Sequence, residues 1–208
     1  MGETQGEAGG DITAAANMNL TFPTRRTIDR AVVEFDVTQN WRFNGIYRLP
    51  ELASASGVVK GVLNGWQASG ILSLQSGYPF TPGLQANRSR SKVADSASAL
   101  DRPDLVAGRK GSNIVSGTTA GCLGVAAGQK LGTPKLYFDP CAFTTPPAGF
   151  LGTAGRNILR GPGLANLDFS LVKNTPIGYL GESGKLEFRA EFFNLLNRAN
   201  FLIPGRIV

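Results

Sequence analysis

The residues best suited by type to acid–base chemistry are Asp168, Glu187 and Glu191. A proton-transfer site needs ionisable groups converging on one bond, yet here Arg189 stands between Glu187 and Glu191, and Lys185 lies two residues before Glu187. At strand spacing these side chains share a face, so the pattern describes solvated charges that compensate one another. The chain has no histidine, which removes imidazole bases, Ser-His triads and His-containing zinc sites together. Carboxylate chemistry of the glycosidase kind would survive that loss, but spacing singles out no pair. The expectation is a protein that is not an enzyme and holds no cofactor or metal.

Two further groups could carry chemistry. Arg156 and Arg160 sit among glycines between Gly155 and Gly163, a composition able to cradle an anion. The segment lacks the Lys-Ser/Thr ending of a phosphate loop and a helical pattern after it, so it reads as a turn into the next strand. Cys122 and Cys141 lie in a Gly/Pro-rich region and could close a loop of about twenty residues, worth roughly 3 kcal/mol as a disulfide. The other reading is two free thiols in a reducing compartment. Trp41, Tyr47, Trp66, Tyr78 and Phe80 could stack a ligand, or Trp41 and Trp66 could belong to an aromatic girdle at a membrane surface.

These residues need elements to position them, and the patterning is of period two. Leu186, Phe188, Ala190 and Phe192 alternate with Lys185, Glu187, Arg189 and Glu191; Trp41, Phe43, Gly45 and Tyr47 alternate with Arg42, Asn44, Ile46 and Arg48. In the next run Trp66, Ala68, Gly70, Leu72 and Leu74 share a face, and later Leu167, Phe169 and Leu171 alternate with Asn166, Asp168 and Ser170. The pattern predicts strands near 31–48, 62–76, 166–173 and 185–197. A run such as 62–76 exceeds an ordinary globular strand and is long enough to cross a bilayer while tilted.

Between these runs the connections are short except one. Residues 77–165 are rich in Pro and Gly with no period, a length of loop hard to place inside a compact soluble domain, though short strands are expected within it, for instance around Leu136 to Phe138. Residues 1–30 read as a loop or frayed end. Short turns at one end and a very long loop at the other are the asymmetry of an outer-membrane barrel. The fold expected is all-β: a partial transmembrane antiparallel β-barrel, an open curved sheet of about four to six long strands with one very long extracellular loop over 31–208. The lipid-facing or girdle residues would be Trp41, Phe43, Tyr47, Trp66, Leu72, Phe169, Phe188 and Phe192; the lumen-facing ones Asp168, Lys185, Glu187, Arg189 and Glu191. A soluble extracellular β-sandwich binding carbohydrate or protein is the alternative.

Composition limits the remaining classes. With 208 residues, 27 Gly and 12 Pro, the chain is turn-rich and of single-domain size. Its formal charge of +6 is spread along the sequence, without the basic helix face or aromatic-interleaved patch of a nucleic-acid binder. No basic-then-apolar leader opens the sequence and no apolar run is long enough for a spanning helix.

Four segments in order, Asn40-Trp-Arg-Phe-Asn-Gly-Ile-Tyr-Arg-Leu-Pro50, the run from Gly65 to Pro82, Gly155-Arg-Asn-Ile-Leu-Arg-Gly-Pro-Gly163 and Leu186 to Arg198, resemble the C-terminal barrel region of TonB-dependent outer-membrane receptors. The similarity runs over about residues 36 to 204 and is nearest the Oar-like group, whose members also carry a carboxypeptidase-regulatory-like domain and a plug. The resemblance implies a place in the outer membrane of a Gram-negative bacterium, contact with outer-membrane lipid, and uptake of a small molecule, glycan or peptide, or adhesion, powered through TonB. The sequence departs from that pattern in having no TonB box, no plug and no terminal strand ending in an aromatic residue, since it stops at Gly205-Arg-Ile-Val208. It therefore predicts a fragment, unable to transport alone and joined to the TonB system only through regions N-terminal to it. Four or five strands cannot close a barrel, since single-chain barrels begin at about eight.

Overall fold

The computed structural model describes residues 3–4, 30–54, 56–90, 100–181 and 184–208. It is mostly β, and every named strand pairing in it is antiparallel. The strands are β1 Glu3–Thr4, β2 Ala31–Val32, β3 Asn40–Arg48, β4 Trp66–Gln75, β5 Pro79–Phe80, β6 Asp104–Leu105, β7 Phe143–Thr144, β8 Leu159–Arg160, β9 Leu164–Pro176 and β10 Lys185–Phe192. The described residues also form two short α-helices, α1 Gly57–Leu63 and α2 Gly111–Ile114, and 3-10 turns at Pro140–Ala142 and Gly178–Leu180. The chain divides into two compact units, one of residues 39–76 and 163–200, the other of residues 1–38, 77–162 and 201–208.

The first unit is a four-stranded sheet in the order β10-β9-β4-β3. Among the described residues it is open, since β3 and β10 each pair on one side only. Its strands have 9, 10, 13 and 8 residues in chain order, and at about 3.4 Å per residue nine residues reach roughly 30 Å. The register Asn40↔Gln75, Gln75↔Leu164 and Phe192↔Phe169 puts the start of β3, the end of β4, the start of β9 and the end of β10 at one end of the sheet. Residues 49–65 and 177–184 connect the strands at the opposite end.

Strand boundaries differ from the sequence expectation at three places. The alternation assigned to 62–76 begins later, because Val58, Val59, Val62 and Leu63 follow helical spacing and close α1. Gly65 then turns the chain at φ +81, and a Cβ there would meet Asn174 O at 2.2 Å, so only glycine fits. Trp66 Nε1 donates to Val62 O at 2.8 Å and fastens the helix to the strand. The expected strand 31–48 is likewise divided: β2 leaves a turn before β3 starts at Asn40. At the other end, 185–197 stops at Phe192, since Asn194 and Asn197 take left-handed backbone at φ 49 and φ 47, a conformation Asn tolerates better than most residues. The strand expected at 166–173 is instead longer, Leu164–Pro176.

The second unit gives the long segment 77–165 short ladders and a buried core. Phe80, Ile114, Phe138, Ala142, Phe143, Ala154 and Leu159 form a buried cluster. Phe138 lies edge-on to Phe80 at 5.9 Å and to Phe143 at 6.2 Å, an aromatic geometry favoured beyond area burial. Cys122 and Cys141 form a disulfide. Leu136–Phe138, where a short strand was expected, belongs to no strand. The pairings are two residues long, β5 with β8 and β6 with β7, because Pro and Gly interrupt every ladder. Gly77 packs directly on backbone: a Cβ there would lie 1.8 Å from Gly161 O. The chain following β10 returns to this unit, where Gly83 and Ile207 form a parallel bridge. The loop expectation for residues 1–30 falls outside the described residues except at 3, 4 and 30.

Candidate functional site

Directly opposed residues of antiparallel neighbours share a face. The pairs Trp41↔Leu74, Phe43↔Leu72, Gly45↔Gly70 and Tyr47↔Ala68 carry the face of β3 onto β4. Leu72↔Leu167, Gly70↔Phe169, Ala68↔Leu171 and Trp66↔Lys173 carry it onto β9, and Leu171↔Ala190, Lys173↔Phe188 and Phe169↔Phe192 onto β10. Trp41, Phe43, Tyr47, Trp66, Leu72, Phe169, Phe188 and Phe192 therefore lie on a single face of one sheet. Its large side chains on the edge strands are exposed, Trp41 at 69% and Phe43 at 70%, while Trp66, Leu72 and Phe169 on the central strands are half-exposed. Phe169 and Phe192 stack tilted across β9 and β10 at 6.4 Å. Monomeric soluble proteins rarely expose a continuous apolar face of this kind.

At the turn end of this face Lys173 Nζ lies 5.4 Å from the Trp66 ring centroid and donates to Asn64 O at 2.7 Å. A lysine whose stem runs over an aromatic ring while its ammonium reaches polar groups at the strand end is snorkelling.

The opposite face holds Arg42, Ser69, Ser73, Asp168, Ser170, Lys185, Glu187, Arg189 and Glu191, with Ile46, Ile71 and Val172 among them. The five residues expected on the polar face are all here. Arg189 pairs with Glu187 at 3.0 Å and Glu191 at 3.5 Å; these pairs are exposed and contribute little to stability. Asp168 Oδ1 accepts from both Asn166 Nδ2 and Asn194 N at 2.9 Å, so this one oxygen ties β9 to the chain after β10. A depression of about 270 Å³ on this side is lined by Gln67, Ser69, Asp168, Arg189 and Glu191 among others. It is wide and of mixed charge, with no converging acid and base. Among the described residues no group of three or more His, Cys, Asp or Glu could hold a metal ion.

In the second unit, charged side chains serve the fold. Asp139 is fully buried, paired with Arg109, and accepts from Cys141 N at 3.1 Å and Ala120 N at 3.3 Å. Arg160 pairs with Asp36 and donates to Asp36 O and Gly77 O at 3.2 Å, so the Gly155–Gly163 segment turns and clamps rather than cradling an anion. Burial pushes the Tyr137 phenol above its ordinary value, and its hydroxyl donates to Arg160 O at 2.9 Å. Phe80 is buried in the cluster and presents no ring to a ligand. Sequence patterning gave no sign of the Asp139–Arg109 and Asp36–Arg160 pairs, whose members are far apart in the chain and follow no period.

The family model of an outer membrane beta barrel domain matches residues 3–208. The chain belongs to that family. An outer membrane beta barrel domain is built as this sheet is, from long antiparallel strands with one apolar and one polar face, and the family is one of outer-membrane proteins. No curated protein and no solved structure matches the chain. The open edges of β3 and β10 in this outer membrane beta barrel domain fit a stretch of barrel wall, because unpaired strand edges cannot stand in hydrocarbon.

Proposed function

We propose that the chain is part of the barrel wall of a TonB-dependent outer-membrane receptor of the Oar-like group. Its apolar face, with Trp41, Phe43, Tyr47, Trp66, Leu72, Phe169, Phe188 and Phe192, meets lipid. Its charged face, with Asp168, Lys185, Glu187, Arg189 and Glu191, meets the lumen, and the unit containing residues 77–162 stands outside the cell. The observation that carries the orientation is the register, which merges the apolar residues of four strands, two of them separated by residues 76–163, into one exposed face. The four ordered motifs support the narrower receptor reading. The role is binding and uptake, without catalysis, of a small molecule, glycan or peptide; the TonB contact belongs to residues other than these. A soluble β-sandwich would need a second layer over the apolar face, which stands exposed.

The test uses the full-length protein extracted from outer membranes in detergent and the purified C-terminal domain of TonB. Binding that disappears when the TonB box of the full-length protein is deleted is the expected result. A full-length protein that is heat-modifiable on gels, as a barrel should be, yet does not bind TonB would overturn the receptor reading and leave the barrel assignment intact.

A further inference from the structure

A groove of about 410 Å³ opens on the sheet at the end where β4 stops and β9 starts, lined by Gln39, Trp41, Leu74, Ala165 and Arg198 among others. Trp41, Leu74 and Ala165 are opposed in register and belong to the apolar face. Arg198 is held there by its backbone. Asn194 Oδ1 accepts from Arg198 N at 3.1 Å, Asn194 Nδ2 donates to Arg198 O at 3.0 Å, and Asn200 Oδ1 accepts from Ala165 N at 3.0 Å. The Arg198 guanidinium is exposed and, among the described residues, makes no hydrogen bond or ion pair. The cation at the opposite end behaves differently: Lys173 is already committed to Asn64 O and the Trp66 ring. One end of the apolar face thus carries a satisfied cation and the other a free one beside a tryptophan.

We propose that the groove holds one phosphate-bearing lipid of the leaflet at that end. Its headgroup lies against the Arg198 guanidinium and the Gln39 amide, and its acyl stem along Trp41, Leu74 and Ala165. Arginine matches phosphate through two parallel donors, and tryptophan favours the boundary between hydrocarbon and headgroups. The proposal rests on the apolar face meeting lipid and is independent of TonB, so the two can fail separately.

The experiment titrates the full-length protein, in a neutral detergent, with fluorescent phosphatidic acid or with phosphatidylcholine of the same chains, read by anisotropy. The wild type should prefer phosphatidic acid by about fivefold, the ratio that ~1 kcal/mol for one cation at an anionic surface gives. Arg198→Gln should abolish the preference, Arg198→Lys should keep part of it, and Lys185→Gln, on the other face, should leave it unchanged. Raising salt should weaken the wild-type preference, a readout that stands even if Arg198→Gln fails to fold. Equal binding of the two lipids, or an unaltered preference in folded Arg198→Gln, would overturn the proposal. Displacement of the lipid by millimolar inorganic phosphate would overturn it too, by making the site one for free anions.

Discussion

The sheet and the unit made from residues 1–38, 77–162 and 201–208 solve opposite problems. The sheet has long regular strands and buries little: its large apolar side chains Trp41, Phe43, Phe188 and Phe192 are exposed, and only Ala165 and Val172 among its described apolar residues are buried. The other unit has two-residue ladders and a true interior, in which Ile114, Leu159 and Asp139 are fully buried. Regular hydrogen bonding and a hydrophobic core, which a soluble domain combines, are here divided between two parts of one chain. Under the proposed function each part depends on a different solvent: lipid would complete the first, whereas the second has a buried cluster of its own.

The sharpest way to break this comparison is to remove Asp139. In Asp139→Ala, Arg109 loses its partner, and Cys141 N and Ala120 N lose their acceptor. Breaking a buried pair costs about 3–5 kcal/mol. Residues 77–162 should become protease-sensitive at lower urea while cleavage within the sheet strands of the membrane-inserted protein is unchanged. Co-loss of both would mean that the units are one cooperative structure.

Leu72→Arg tests the sheet. A charge on the lipid side of a barrel strand costs about 2–4 kcal/mol at mid-depth and far less near the rim or on the lumen side. Urea titration of the full-length protein in vesicles should show that cost for Leu72→Arg and little for Ser73→Arg, its neighbour on the other face. Equal effects would remove the two-solvent reading. Reducing the Cys122–Cys141 disulfide, which closes a sequence separation of 19, should cost about 3 kcal/mol in the chain-entropy view. The loss should register as earlier proteolysis of 77–162 only; an equal shift in the sheet would contradict the division.

The same division decides what could be read from sequence. Every strand of the sheet advertised itself by period two, since a strand between two solvents must sort its residues alternately. Face membership was therefore legible strand by strand, from Trp41 to Glu191. The register that merges the faces was not, because pairing partners leave no mark within either strand. Alternation also misled at Val62 and Leu63, where two apolar residues of a helical stripe adjoin Trp66. The second unit stayed unread for a different reason. Phe80, Ile114, Phe138 and Leu159 are brought together by turns and prolines, so their spacing has no period, and a long Pro/Gly segment with such a core looks like a loop. Only its cysteines gave a usable signal.

The parallel bridge between Gly83 and Ile207 also bears on how the protein is made. Gly83 N donates to Arg206 O at 2.8 Å and Val208 N to Gly83 O at 3.1 Å, so a contact formed early in the sequence waits for residues that follow all four long strands. Val208 also packs against the buried cluster. Contacts of such separation are slow to form, because the intervening chain must be closed first. Synthesis proceeds from the N-terminus, and the strands between these residues are translated, and available for pairing, before the unit they flank can be finished. Assembly of this unit thus ends with a seam stitched last, between residues that the long strands β9 and β10 separate in the chain.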